Sequence, residues 1–215
     1  MPAIMTGMRL RPLELAALFA IGAAGGLVGD AGHVQADTTT YLDDSVPFVW
    51  ESALWFPVLV GLGTAALAEI RLWLAPPREG FDLRAGVGGI AAVIGIYALT
   101  AVVYEGPELP VIVLITALAA LVCVWLADGP PALACGLIAA LFGPVIEIVA
   151  IEAELARYHE AADGLFGVAP WLVPLYFAFG VVTARLGELV LARRRGAPQP
   201  TPVSAETSAE SSSPL

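Results

Sequence analysis

The sequence predicts an all-α integral membrane protein with six transmembrane helices packed as a compact bundle. Three observations support this prediction. Of the 215 residues, 58% are hydrophobic and only 14% are charged, and the mean hydropathy is +0.81, whereas soluble domains carry about 25% charged residues. Six segments approach the length of about 20 apolar residues that a spanning helix needs. The arginines, finally, concentrate on alternate connections between these segments.

The breaks between the predicted spans are rich in proline and glycine, which end helices. They read APPREGFD after the second span, YEGPELP after the third and ADGPP after the fourth. The predicted spans are residues 12–29, 52–73, 85–104, 109–127, 131–151 and 170–191. We therefore predict a membrane domain over residues 1–195, followed by a tail of disordered composition over residues 196–215.

The arginine positions predict that both termini are cytoplasmic. If six spans alternate, one side of the membrane holds Arg9, Arg11, Arg71, Arg78, Arg84, Arg193, Arg194 and Arg195. The other side holds Arg157 and most acidic residues of the connections. Cytoplasmic connections carry the excess of positive charge. An alternative, cleavage of residues 1–36 as a signal peptide, leaves the remaining topology unchanged.

Composition and motifs argue against several function classes. The net charge of −10 and the lack of lysine do not suit a nucleic-acid-binding protein. Cys123 and Cys135 lie in apolar runs and are interpreted as packing residues. His33 and His159 lack the tight spacing of metal ligands. Motifs of metalloproteases, serine hydrolases and phosphate-binding loops are missing from the sequence. We therefore predict no enzymatic activity, no cofactor and no metal site.

Glu147 is the most informative polar residue in the predicted spans. It continues the helix face of Gly136, Ala140 and Gly143, at spacings of three and four residues. Small residues let helices pack closely in lipid, so this face should meet other helices. A charged group inside the bilayer costs at least ~2.5 kcal/mol and usually faces a cavity or a partner. Glu147 therefore contacts a ligand, hydrogen-bonds another helix or takes part in proton transport.

Four segments in order resemble the Insig (insulin-induced gene) family. ALWFPVLVGLGTAALA resembles its second helix, and LAPPREGFDLRAGVGGIAAVIGIYA resembles the region that follows. LITALAALVCVWLAD resembles the fourth helix with its terminal acid, and PWLVPLYFAFGVVTARLGELV the last helix. The resemblance covers residues 12–192 and implies a six-helix bundle with cytoplasmic termini. Animal members bind oxysterols within the bundle and retain the escort protein Scap. The lysine-free, arginine-rich composition indicates a bacterial chain, so the animal partners are not expected.

The resemblance also carries over to single positions. Asp128 matches the acid that ends the family's fourth helix, so we predict a partner contact there. Val111 stands where the family has a glutamine, and Ile94 where it has an aromatic residue. Ala98 and Leu99 replace an Asn-His pair. These differences remove groups that the family links to oxysterol recognition, so we expect a cavity for another lipid.

We therefore predict a protein of the bacterial inner membrane that binds or senses an amphipathic lipid within its bundle. A neutral acyl lipid such as diacylglycerol is favoured over a sterol. Helices one, three, four, five and six are expected to line the cavity. The predicted lipid contacts are Glu147 and Tyr97 for the head group and Ile94, Val111, Leu114 and Phe142 for the tails. The alternatives are a small proton-coupled transporter that uses Glu147 and a scaffold that recruits partner proteins. The glycine stripes are also compatible with a homo-oligomer.

Overall fold

The computed structural model describes residues 10–42, 48–77 and 82–196. Six helices in it are long and apolar enough to cross a membrane. They are α1 (Pro12–Gln35), α2 (Trp55–Leu74), α3 (Leu83–Val103), α4 (Glu108–Leu126), α5 (Pro130–Glu152) and α6 (Leu172–Gly196). The predicted all-α, six-helix membrane fold is confirmed. The predicted C-terminal tail lies, apart from its first residue, outside the described residues.

The residues that precede α3 and α5 explain where these two helices begin. Asp82 precedes α3, and its carboxylate accepts a hydrogen bond of 2.8 Å from the Ala85 backbone N–H. This bond satisfies a backbone donor that has no partner inside the helix. Gly129 precedes α5 with a φ of 134°, a conformation that glycine adopts without steric cost. Pro130 follows at the first helical position, where a missing N–H removes no intrahelical bond.

The last part of α1 differs most from the predicted spans, because the helix continues six residues past residue 29. His33 lies in this extension and is fully buried. Its Nε2–H donates to the Tyr97 carbonyl at 3.1 Å and lies 2.8 Å from Thr100 Oγ1. These partners on α3 let a polar side chain stay inside the bundle. Hydropathy alone could not reveal them, since they are more than 60 residues away in the sequence.

Helix α6 is the centre of the bundle. In its most apolar stretch 72% of the residues are buried, against 22–39% in the other five helices. It packs against α2, α3, α4 and α5, while α1 lies mainly along α2 and α3. A Cβ atom at Gly180 would lie 2.4 Å from the Cys135 carbonyl oxygen, and one at Gly187 would lie 3.0 Å from Ala68. Glycine therefore permits the close approach of α6 to both α5 and α2.

Short strands cover one end of the bundle, which we call the cap end. We call the opposite end, where α1 begins and α6 ends, the tail end. Strand β1 (Thr39–Tyr41) pairs antiparallel with β4 (Ala156–Tyr158), and β2 (Phe48–Val49) pairs antiparallel with β3 (Ser52–Ala53). A short 3₁₀ helix, Glu160–Ala162, follows β4. Strands of two or three residues show no periodicity in a sequence, and the sequence did not predict them.

Candidate functional site

The Glu147 carboxyl group lies where three cavities meet. Cavity 1 is enclosed mainly by α1, α2, α3 and α6, and cavity 2 lies between α2, α5 and α6. They contain about 700 and 780 Å³ of space, their openings included. The third, which we call the vestibule, contains about 290 Å³ of space, its opening included, and lies under the β1–β4 pair. Phe56 and Glu147 line all three, so the cavities share one junction.

Glu147 is fixed at this junction by two tyrosine hydroxyl groups. Tyr176 on α6 donates to Oε1 at 2.5 Å, and Tyr158 on β4 donates to Oε2. The side chain is only 8% exposed. One turn earlier, a Cβ atom at Gly143 would lie 2.4 Å from the Tyr176 ring. The small residue therefore makes room for the ring that holds the carboxyl group, and the predicted inward direction of Glu147 follows from this packing.

A second buried carboxyl group, that of Asp30, lines the vestibule. Asp30 accepts hydrogen bonds from Tyr41 at 2.6 Å and from Ser52 at 2.5 Å. Because the predicted first span ends at residue 29, the sequence places Asp30 among the acidic residues of a connection. The signal that could have identified it is the same as for Glu147. Asp30 follows Gly22 and Gly26 at spacings of four residues, so it continues a small-residue face.

The two tyrosines of the cap end remain hydrogen-bond donors at physiological pH. Burial is the main cause that raises the pKa of Tyr41, and the negative charge of Asp30 is the second. Burial, followed by the charge of Glu147, raises the pKa of Tyr158 well above its ordinary value. Both phenols therefore stay protonated and hold the carboxyl groups in place.

Cavity 1 contains two of the predicted lipid contacts, Ile94 and Tyr97. Ile94 lies across the cavity wall from Gly25, with 3.7 Å between its Cδ1 and the position of a Cβ atom there. The Tyr97 ring packs so closely on Gly29 that a Cβ atom would lie 1.9 Å from Cδ1. The glycines of α1 therefore shape this wall by admitting side chains of α3.

Cavity 2 contains the predicted contact Phe142, together with residues of α2. The other two predicted tail contacts lie elsewhere. Val111 is buried in the core, and Leu114 is 40% exposed on α4. Neither lines the cavities that meet at Glu147, because α4 packs on α3 and α6 and does not reach the junction. The structure thus differs from the expected set of lining helices, with α2 taking the place of α4.

Asp128 lies in a buried cluster of charges near the tail end. Arg185 donates to Asp128 at 2.6 Å and also to Glu188, and Arg71 donates to Asp128 at 3.2 Å and to Glu188. We call these four side chains the ion cluster. It ties α2 and α6 to the connection between α4 and α5. Asp128 retains 11% exposure, and its role as a partner contact stays a prediction.

Comparison with known proteins places the chain in a family. An INSIG protein homolog from Mycolicibacterium vanbaalenii is 54% identical over 187 residues, covering 87% of this chain and 91% of the relative. The chain belongs to the Insig family. The predicted resemblance is thereby confirmed. The crystal structure of MvINS, a mycobacterial Insig homologue from the same organism, matches with a TM-score of 0.86 at 53% identity, covering 89% of this chain and all of MvINS. A cross-linked trimer of MvINS also matches with a TM-score of 0.86, at 52% identity and with the same coverage. No protein-family model matches the sequence.

The site in this Insig homologue combines polar groups with apolar walls. Carboxyl and hydroxyl groups gather at the junction, while the walls of cavities 1 and 2 are almost entirely apolar. A carboxylate has about four lone-pair sites. Tyr158 and Tyr176 use two of those on Glu147, so the carboxylate can accept a further hydrogen bond. Within the described ranges, no group of three or more His, Cys, Asp and Glu residues is placed to hold a metal ion.

Proposed function

We propose that this Insig homologue binds, and thereby senses, a neutral acyl lipid with two chains, such as diacylglycerol. The observation that carries the proposal is the junction itself, where one buried polar group, Glu147, lines two apolar cavities. A lipid with two chains has the same arrangement, because both chains are attached to one small head group. The head group would lie at Glu147 and one chain in each cavity.

The lengths of the cavities fit acyl chains. Cavity 1 is lined along α6 from Leu172 to Leu186, and cavity 2 along α2 from Trp55 to Ile70. At 1.5 Å per helical residue, these stretches measure roughly 21 and 23 Å. The hydrocarbon of one leaflet is about 15 Å deep, half of the bilayer core. Each cavity is therefore long enough for a chain of ordinary membrane length, whereas a single rigid sterol would lie in only one of them.

The charges at the junction favour a neutral head group over a phosphate. Both charged residues that line the vestibule, Asp30 and Glu147, are acidic, and no arginine, lysine or histidine among the described residues lines it. A phosphate would place another negative group beside two carboxyls without a compensating cation, and burying an unpaired charge is costly. Lipid hydroxyl groups, in contrast, can donate to the remaining lone pairs of Glu147. An acylglycerol meets this requirement and a phospholipid does not.

Native mass spectrometry of the protein purified from its own membranes, followed by lipid extraction, tests the proposal. We expect about one acylglycerol per protein chain. Losing a hydrogen bond to a charged group costs about 1.5–3 kcal/mol, so Glu147→Ala should weaken binding roughly 10–150-fold. The control is Glu152→Ala, which removes an exposed acid from the same helix. Recovery of phospholipid alone, or equal lipid retention by both variants, would refute the proposal.

A proton-coupled transporter is the second candidate, because Asp30 is a further buried carboxyl group near Glu147. Transport requires a path to both sides of the membrane. The tail end instead contains the ion cluster and the close contact of Gly187 with Ala68. Lipid binding is therefore favoured. In proteoliposomes, a proton flux that Glu147→Gln abolishes would support the transporter.

The surroundings of the protein are part of the same proposal. The arginine distribution supports a position in the bacterial inner membrane with cytoplasmic termini and an external cap end.

The cross-linked trimer of MvINS, at 52% identity, supports homo-oligomers of this chain. Size-exclusion chromatography with light scattering in mild detergent measures the oligomeric state, and a monomer throughout would contradict this part.

A further inference from the structure

We propose that the lipid reaches its site sideways from the membrane, through a gap between α2 and α5 that opens into cavity 2; the inference rests on the proposed function. We call this gap the side opening and define it by Leu59 and Gly63 on α2 and Phe142 and Ile146 on α5. The occupant is the acyl chain of a membrane lipid, because the gap leads directly to the apolar cavity that ends at Glu147.

The packing of α2 against α5 changes along their length. Towards the tail end the two helices touch, and the Cys135 thiol donates to the Leu67 carbonyl at 3.7 Å. Both residues are buried. Cavity 2 lies along this pair of helices, and the four residues of the side opening are all on the cap side of the Cys135–Leu67 contact. The side opening therefore lies in the half of the bundle that also contains Glu147.

The residues at the side opening line cavity 2 and are at the same time exposed. Leu59 is 38% exposed, Ile146 43% and Phe142 56%. Because cavity 2 is open to the outside of the bundle and not enclosed, exposed residues of its wall are where its opening is expected. At Gly63, nothing lies within 4 Å of the position of a Cβ atom. The gap thus contains unfilled space at its centre.

The neighbouring seam between α1 and α2 is closed. A Cβ atom at Gly22 would lie 2.1 Å from Thr64, and one at Gly26 would lie 2.9 Å from Val60. Such contacts leave no room for an acyl chain between these helices. Cavities 1 and 2 are neighbours that share wall residues, among them Tyr176. A chain that enters by the side opening can therefore continue past the junction into cavity 1.

Two substitutions should change the rate of lipid uptake in opposite directions. Gly63→Phe places a ring in the empty space of the side opening, and Phe142→Ala removes one from its rim. The matched control is Gly95→Phe. Gly95 also has nothing within 4 Å, but it lies in a separate groove between α3 and α4 that Glu147 does not line. All three proteins should fold, because a Cβ atom at Gly63 or Gly95 has no neighbour within 4 Å and Phe142 is largely exposed.

The assay mixes lipid-stripped protein in nanodiscs with vesicles that carry a fluorescent diacylglycerol, and follows energy transfer from the protein tryptophans. Forcing a chain past an added ring raises the barrier, and each tenfold loss of rate corresponds to about 1.4 kcal/mol. We expect Gly63→Phe to slow uptake at least tenfold, roughly the effect of overpacking. Phe142→Ala should accelerate uptake, and Gly95→Phe should remain within about twofold of the unsubstituted protein.

The results separate the route from the function. Equal uptake rates for Gly63→Phe and the unsubstituted protein, or an equal slowing by Gly95→Phe, would overturn the side opening while leaving lipid binding intact. If the unsubstituted protein takes up no diacylglycerol, the proposed function itself is overturned, and the route with it.

Discussion

The ion cluster provides the sharpest stability prediction. Arg71 and Glu188 are each only 1% exposed, and Arg71 pairs with both Glu188 and Asp128. Replacement of Arg71 by methionine, a side chain of similar length, keeps much of the packing but removes one of the two positive charges. Of the two arginines of the cluster, only Arg185 would then remain beside the two carboxylates. The buried cluster would then carry one more negative than positive charge.

The magnitude follows from this imbalance. Removing one partner of a buried ion pair typically costs 3–5 kcal/mol, because the other charge stays buried without compensation. We therefore expect Arg71→Met to lower the free energy of unfolding by about 3–5 kcal/mol. The double variant Arg71→Met with Glu188→Met restores a balance of one positive and one negative charge. It should be more stable than Arg71→Met alone, since Asp128 and Arg185 remain paired at 2.6 Å.

Equilibrium unfolding by SDS in mixed micelles, monitored by circular dichroism, measures these differences. The double-mutant cycle isolates the interaction between Arg71 and Glu188. Arg194→Met is the control, because Arg194 and its ion-pair partner Glu14 are 22% and 17% exposed, and partly solvated pairs contribute about 0–1 kcal/mol. A loss below about 1 kcal/mol for Arg71→Met, or additive effects in the cycle, would refute the reasoning.

Two further predictions concern packing and pH. Gly29→Ala should lower the free energy of unfolding by about 1–3 kcal/mol, because the new Cβ atom meets the Tyr97 ring. At Gly32 nothing lies within 4 Å of the position of a Cβ atom, so Gly32→Ala should leave the free energy of unfolding unchanged or raise it by up to ~1 kcal/mol. Equal losses of stability for the two variants in SDS unfolding would contradict the packing argument. Tyr41 and Tyr158 have raised pKa values in the folded state. The contribution of these two phenols to the free energy of unfolding is therefore fully present below the ordinary tyrosine pKa of 10. It is lost as the pH rises above 10, by about 1.4 kcal/mol per pH unit for each group. Tyr158→Phe should make the fall of unfolding free energy above pH 10 less steep, and an unchanged slope would show that this phenol does not contribute.

Asp30 and Glu147 show how far a pattern of small residues can locate a site. Each of the two acids follows glycines of its own helix at spacings of three or four residues. The acid therefore lies on the same helix face as the glycines, and this face meets the interior of the bundle. Glu147 was predicted because it interrupts an apolar run. Asp30 was not, because it follows the run and resembles the acids of a connection. Its burial depends on Tyr41 and Ser52, which reach it through the fold of the cap end.

Val111 and Leu114 illustrate the opposite case. Their helix α4 has the highest mean hydropathy of the six, 2.8, so it could face a cavity, a neighbouring helix or lipid. Hydropathy does not distinguish these surroundings inside a membrane, since lipid tails are as apolar as the side chains of a helix bundle. Only the packing of α4 on α3 and α6 excludes it from the junction.

The sequence by itself determined the six membrane helices, the family and the inward direction of Glu147. Each depends on local signals, namely runs of apolar residues, Pro/Gly breaks and the spacing of small residues along one helix. The tertiary structure decided which helices enclose the cavities, that Asp30 lies beside them and that Asp128 joins the ion cluster. These features arise from contacts between residues far apart in the chain, such as Arg71 with Glu188. No pattern within a single helix contains that information.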